Sequence, residues 1–395
     1  MEALSAMGND ATMTLYNNER TINPPNNPEY ILIIAASGRM LAQAAGAAGL
    51  KPLVIDLYAD LDMQSYAQDF KKIPSLAEEH LAPSVDYFIK RYAVSAVIYG
   101  SGFEYYPESL HYLAGRLQVL GNTPDVFIRL HDKPAFFLGL DQLNISYPDV
   151  CFKPPEDEGH WLLKPMQGQG GVGIQRYRFE EPVELPVYWQ KYQEGEQHSV
   201  LFLADGQQVQ VIGFNSQWAV NLGLNREFMF SGIINHCDLP AAQQERVTGW
   251  LKELVPAFGL KGLNSLDFIQ VGDKIFALEI NPRPSASMQL YDADLLNRHI
   301  KASLGELTDG PLLSGYTGYQ IVYAGQDVMI PDGFAWPDGC MDLPDSGVMC
   351  RKGQPICSII AHQKRADSVM DALLIQQLNL LKRFPSWNIK PALIN

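Results

Sequence analysis

The 395-residue chain has few cysteines, no long apolar run and no excess of positive charge. Its five cysteines (Cys151, Cys237, Cys340, Cys350, Cys357) are scattered, with no Cys-x-x-Cys pair. An odd, dispersed set argues against a disulfide framework or a zinc site and for reduced thiols. The eight histidines include no His-x-His or His-Glu-x-x-His spacing. No apolar stretch reaches the roughly 20 residues of a membrane span. Charged residues are only 19% of the chain, and the formal net charge is −14. That balance argues against a nucleic-acid partner, which selects a basic stripe. Residues 1–28 are polar, rich in Asn and Pro, and lack the charged-then-apolar order of a signal peptide. They read as a flexible tail on a cytoplasmic protein.

Apolar material is plentiful: hydrophobic residues make up 47%. The length suits two or three packed domains. Short, mainly apolar runs at Ile31–Ala36, Lys51–Leu57 and Val94–Tyr99 read as buried parallel strands. Helices at 40–48 and 107–115 alternate with them, which predicts an open α/β sheet in the first 130 residues. From about residue 150 the pattern changes to antiparallel strands at 161–164, 175–179, 187–193, 199–203 and 208–214. A helix is expected over 243–258. A hairpin is expected over 262–281, turning at Gly272-Asp273. Beyond residue 309 a segment rich in Gly, Pro and Asp predicts a small β-rich unit, closed by a helix over 366–383.

Two stretches carry chemistry. The first is WLLKPMQGQGGVG, Trp161 to Gly173. Its glycines Gly168, Gly170, Gly171 and Gly173 match a dinucleotide fingerprint in form, but that motif needs a helix to follow. Here a strand follows, so the unit is strand, glycine loop, strand. It is no P-loop either, since Lys164 precedes the glycines. Such a loop can fold over phosphates and present backbone N–H groups, with the Lys164 ammonium reaching in as a point charge. The competing reading is a glycine hairpin with a solvated lysine. The second stretch is SLDFIQVGDKIFALEINPRP, Ser265 to Pro284. Glu279 and Asn281 are two apart on one strand and share a face; Asp267 can join them from the paired strand. Hard oxygens of this kind suit magnesium sharing its shell with phosphates. Arg283 continues the same face, where it can brace a moving phosphoryl group.

Together these stretches resemble the ATP-grasp superfamily, in particular its carboligases related to biotin carboxylase, with likeness also to tyramine–glutamate ligase and D-alanine–D-alanine ligase. The resemblance rests on Asp267 followed by Glu279-x-Asn281-Pro282-Arg283, and on Lys164-Pro165 before the glycine loop. It rests also on Asp132-Lys133 opening a helix, and on YWQKYQEGE, Tyr188 to Glu196. It implies a pre-ATP-grasp α/β domain over 29–125, an ATP-grasp core with antiparallel sheets over 126–308, and the β-rich unit over 309–395. It also implies roles. Lys133 and Lys164 would hold phosphates, with Lys164 and Arg283 serving the phosphoryl transfer. Gln190, Lys191, Tyr192 and Gln193 would line the adenine pocket, and Glu196 or Gln197 would meet the ribose. Asp267, Glu279 and Asn281 would bind magnesium, with manganese as a substitute. Gln190 stands where the family commonly has Glu. The segment 341–361 is superficially like a biotinyl domain but has no Met-Lys-Met turn, so no biotin attachment is expected.

The implied activity is an ADP-forming carboxylate–amine ligase working through an acyl phosphate. Its partners would be a small acid and a small amine, with room for a homodimer and with no nucleic acid or membrane. Arg39, at the end of the first strand, and Arg226 are candidate receptors for a substrate carboxylate. The stretch 37–62 joined to this core resembles carboligases found with methanopterin- or methanofuran-type cofactor genes. A phosphotransferase is the alternative, but His-Arg-Asp and Asp-Phe-Gly are absent. A non-catalytic nucleotide sensor is a further alternative, which the full set of acidic residues disfavours.

Overall fold

The computed structural model describes residues 29–157, 159–178, 183, 186–223, 226–311 and 314–384. The tail at 1–28 lies outside the described residues. The first sheet has five parallel strands: β1 (Tyr30–Ile34), β2 (Lys51–Asp56), β3 (Asp69–Lys72), β4 (Ala96–Tyr99) and β5 (Gln118–Val119). Their order is β3-β2-β1-β4-β5. Helices α1 (Arg39–Ala47), α2 (Leu61–Tyr66), α3 (Glu78–Tyr92) and α4 (Glu108–Arg116) cover it. β1 is apolar at every position because both its faces are covered. Ile31 and Ile33 pack with Leu41 and Ala45, whereas Leu32 and Ile34 pack with Leu81, Val85 and Phe88. The sequence reading did not include α2, β3 or α3, where Pro83 interrupts a helical pattern.

Two short helices follow, α5 (Pro124–His131) and α6 (Lys133–Gln142). The Asp132 carboxylate accepts the Ala135 N–H at 3.0 Å and so caps α6. The cap fixes Lys133 in the first turn. A four-stranded antiparallel sheet comes next: β6 (Val150–Cys151), β7 (Trp161–Pro165), β8 (Gln175–Arg176) and β9 (Val187–Lys191), in the order β6-β9-β7-β8. β8 is shorter than its sequence suggested, and Phe179, the expected end of that strand, lies outside the described residues.

The largest sheet starts with β10 (Glu196–Asp205), β11 (Val209–Val220) and β12 (Met229–Ile234). Helix α7 (Ala241–Phe258) leads to the hairpin β13 (Lys261–Val271) and β14 (Lys274–Asn281). Helix α8 (Leu295–Ser303), strand β15 (Tyr316–Tyr323), the short β16 (Val328–Met329), β17 (Cys340–Met341) and β18 (Met349–Cys350), then β19 (Pro355–Gln363) and α9 (Ala366–Leu381), complete the chain. The sheet order is β14-β13-β10-β11-β12-β15-β19-β17. The β-rich C-terminal segment is therefore present but is not a sheet of its own. β15 pairs along β12, and β19 and β17 extend the same sheet. Only β16 and β18 form a separate pair.

One face of the large sheet is apolar. Val200, Phe202, Leu266 and Phe268 pack on Val247, Leu251 and Leu254 of α7. The other face looks toward the first sheet, and the two are joined at Asn122. This residue is 1% exposed. Its carboxamide donates to Asn264 Oδ1 at 2.7 Å and to the Pro282 carbonyl at 2.9 Å, and it accepts the Lys261 N–H at 2.8 Å. Truncation leaves several buried groups without partners. Asn122→Ala is expected to lower unfolding stability by ~3 kcal/mol, read as a reduced midpoint in urea denaturation.

Candidate active site

Parallel α/β sheets bind ligands at the carboxyl ends of their strands, beside the strand where the connection order reverses. Here that strand is β1, between β2 and β4. The turns leaving β1 and β4, Ala36–Ser37 and Gly100–Ser101, open onto a cavity of about 740 Å³. Its other walls are the glycine loop between β7 and β8, the strand β9 with the residues after it, and the polar face of the large sheet.

Strand register builds the cavity floor. Asp267 on β13 lies opposite Glu279 on β14 and opposite Ser199 on β10. Ser199 in turn lies opposite Asn215 on β11. One row further on, Asn281 faces Ser265. A polar strip thus crosses a sheet whose reverse side is core. Asp267 accepts from Gln217 Nε2 and from Asn281 Nδ2, each at 3.1 Å. Burial, then the neighbouring Glu279 charge, pushes the Asp267 carboxyl well above the ordinary range. Burial also acts to raise Glu279, but the charges of Lys133 and Lys164 outweigh it and hold Glu279 below its usual value.

Two lysines face this strip from opposite elements. Lys133 Nζ, at the start of α6, lies 3.7 Å from Glu279 Oε2. Lys164 Nζ, on β7, donates to Gln190 Oε1 at 3.0 Å. Burial lowers the Lys164 pKa, with Glu279 and Asp267 pulling the other way. The Gln190 side chain is 2% exposed, and its Nε2 has no partner. A buried donor without an acceptor in a cavity wall fits a ligand that brings one. Lys191, Tyr192 and Gln193 also line the cavity. Of the two ribose candidates, Gln197 lines it; Glu196 is exposed and lies 3.7 Å from His198 Nε2.

The glycine loop reaches across. Gly170, Gly171 and Gly173 all have positive φ. Phe230 N–H donates to the Gly170 carbonyl at 3.0 Å, and a Cβ on Gly171 would meet the Phe228 carbonyl at 1.9 Å. Glycine is required there by close backbone approach as well as by φ. Gly168 and Gly173 stand at the two ends of the loop.

Arg283 is 8% exposed, and its Nε donates to Glu104 Oε1 at 2.6 Å. Its Nη2 reaches Asn281 Oδ1 at 3.3 Å. Glu104 follows β4, is 3% exposed, and accepts the Gly102 N–H at 2.6 Å through Oε2. That bond needs the positive φ of Gly102. Burial works to raise the Glu104 pKa; Arg283 and then His131 overcome it and keep the carboxyl below its usual value. The sequence reading missed Glu104. The signal was available: it follows a Gly-Ser-Gly turn at the carboxyl end of a buried strand. Ser199 and Gln217, also missed, carried no such mark.

The two candidate substrate arginines sit in different places. Arg39 is 2% exposed and engaged: Nε donates to Asp342 at 2.8 Å, Nη1 to Gln43 at 3.0 Å and Nη2 to Gln289 at 2.9 Å. It ties α1 to the C-terminal strands and also lines the cavity, with two guanidinium N–H groups outside these three bonds. Arg226 lies outside the cavity lining and donates to the Gly353 carbonyl at 3.1 Å.

A profile described as the ATP-grasp domain matches residues 130–287. The chain carries an ATP-grasp domain. An uncharacterised protein of Methanocaldococcus jannaschii is 23% identical over 269 residues, covering 62% of this chain and 64% of its own. The carbamoyl phosphate synthase large chain of Clostridium perfringens is 25% identical over 206 residues, covering 44% of this chain. The chain spans only 18% of that relative's length. N5-carboxyaminoimidazole ribonucleotide synthetase from Thermotoga maritima shares the fold with a TM-score of 0.66 at 13% identity, over 89% of this chain and 98% of that one. Biotin carboxylase from Campylobacter jejuni does so with a TM-score of 0.67 at 15% identity, over 90% and 91% of the two chains. The ATP-grasp match spans α6, the glycine loop and the whole Asp267–Arg283 hairpin. Among the described residues no helix is long and apolar enough to cross a membrane, and no three His, Cys, Asp or Glu side chains form a ready metal cage. Two carboxylates beside a carboxamide nevertheless fit magnesium, which keeps most of its shell for water and phosphate.

Two outcomes follow from the buried charges of the ATP-grasp strip. Glu104→Gln leaves the buried Arg283 without its counter-charge and is expected to cost ~3 kcal/mol of stability in urea denaturation. Asp267, whose carboxyl is raised in the fold, is held charged at a penalty above its folded pKa and is neutral in both states below its unfolded one. Asp267→Asn should therefore raise the thermal midpoint of the ligand-free protein at pH 8. The gain should shrink as the pH falls toward 5, followed by circular dichroism.

Proposed function

We propose that this protein is an ADP-forming ligase that joins a carboxylate to an amine through an acyl phosphate. The observation that carries the reading is the meeting of Lys164, Asp267, Glu279, Asn281 and Arg283 at one cavity, with Lys133 3.7 Å from Glu279, drawn from four separate elements. In this reading Lys133 and Lys164 hold the α- and β-phosphates of ATP. Backbone groups of Gln190 to Gln193 face the adenine, with Gln197 rather than Glu196 at the ribose. Asp267, Glu279 and Asn281 hold magnesium, which neutralises charge on the triphosphate when bound. Gly168 to Gly173 close over the phosphates and exclude water.

A carboxylate oxygen of the acid attacks the γ-phosphorus and ADP leaves. The amine nitrogen then attacks the acyl carbon; phosphate leaves, and the nitrogen loses a proton. The Arg283 guanidinium, fixed by Glu104, spreads the charge that develops on the transferring group. The acid and amine are small molecules. The resemblance of residues 37–62 to carboligases of methanopterin- or methanofuran-type cofactor synthesis makes intermediates of those pathways the first compounds to assay, in a cytoplasmic setting and without biotin.

ADP release against pools of acids and amines tests the activity. On the active pair, Glu279→Gln should lower turnover more than a hundredfold, a loss of ~3 kcal/mol in transition-state stabilisation. Its affinity for ATP by calorimetry should change only a few-fold, because the lysine and backbone contacts remain. Turnover at the parent rate with unchanged magnesium dependence would remove the metal assignment and the ligase reading with it.

A further inference from the structure

One polar side chain in the cavity floor has no structural task. Ser265 is 2% exposed and lines the cavity. Its neighbour Leu266 points to the α7 core, so alternation along β13 sends Ser265 to the same face as Asp267. Its cross-strand partners are Asn281 on one side and Leu201 on the other. The surrounding polar groups are paired with each other: Asn281 with Asp267 and Arg283, Ser285 with Ser287, and Asn215 with Ser199 and Tyr291. The Ser265 hydroxyl has no hydrogen-bond partner among the described residues. A hydroxyl that opens on a cavity and makes no bond within the protein is available to a ligand bound there. It also sits one row past the Asp267–Glu279 pair, beside Asn281 and thus on the Arg283 side of the strip.

We propose that Ser265 contacts the substrate acid, its hydroxyl donating to a carboxylate oxygen as that carboxylate becomes an acyl phosphate next to the Arg283 guanidinium. The proposal rests on the ligase reading. A hydroxyl is the donor such a position calls for. It has no charge to disturb the Asp267–Glu279 pair, and it is short enough to leave room for the substrate between β13 and Arg283. A bond from a neutral donor to a carboxylate oxygen is charge-assisted: it holds the acid for attack and, in the reverse direction, strengthens as the departing carboxylate regains its charge.

The test uses the phosphoryl-transfer step in reverse, which needs no knowledge of the natural acid. With magnesium and ADP, a β-phosphate oxygen attacks the phosphorus of acetyl phosphate or carbamoyl phosphate. The P–O bond to the acyl oxygen breaks, and ATP and the free carboxylate form. ATP is read by luciferase. Ser265→Ala should lower kcat/KM for the acyl phosphate about tenfold or more. Its affinity for a non-hydrolysable ATP analogue with magnesium, and its thermal midpoint, should stay at parental values. Ser265→Thr, which keeps the hydroxyl, should recover most of the loss. If Ser265→Ala forms ATP at the parent rate, or if threonine fails to rescue it, the proposal is overturned and the ligase reading stands. If the parent protein binds the nucleotide but makes no ATP from either acyl phosphate, the ligase reading fails and takes the proposal with it.

Discussion

The buried pair of Arg283 and Glu104 is the contact on which the site depends. Removing two charges from water costs several kcal/mol per ion, and the attraction between them offsets that only in good geometry. The 2.6 Å contact and the Gly102 N–H on the second oxygen of Glu104 supply it. The pair also joins units far apart in sequence: Glu104 follows a strand of the first sheet, while Arg283 follows the last strand of the hairpin. Neither sheet can shift against the other without exposing an unpaired charge to apolar surroundings. The Tyr99 hydroxyl, donating to the Asn122 and Pro282 carbonyls, fixes the same junction.

Within that frame, the charges of the site are set against one another. Two carboxylates lie opposite each other on paired strands, a repulsive arrangement in the absence of cations. Lys133 and Lys164 answer it from separate elements, and the helix cap at Asp132 and the Gln190 carboxamide hold each lysine in place. The result is a cavity wall in which two carboxylates are set against two lysines. Gln190 fits this balance. Its carbonyl oxygen accepts from Lys164 without adding negative charge, and its amide nitrogen is left without a partner.

Much of this was legible in the chain. Periodicity alone located β1, β2, β4, α7 and the β13–β14 hairpin, because each is bounded by turn residues and faces a core on a regular period. The glycine loop and the Glu279-x-Asn281-Pro282-Arg283 run were legible as chemistry, because spacing along a single strand fixes which side chains share a face. Less visible were α3, with Pro83 inside it, and β12, whose pairing lies with strands distant in sequence. The partners of Arg39 were hidden for the same reason: Asp342, some three hundred residues later, reaches it.

The sequence by itself determined the α/β start, the antiparallel core and the residue types of the glycine loop and the 265–283 hairpin, since these depend on local period, turn chemistry and spacing. Tertiary structure alone decided the rest. It showed that the C-terminal strands continue the central sheet, that Glu104 neutralises Arg283, that Arg39 is already engaged, and that Ser265 faces the cavity without a partner. Each of these depends on which distant segment fills the space beside a given side chain. Burial and charge compensation are properties of that neighbourhood, and no local pattern encodes it.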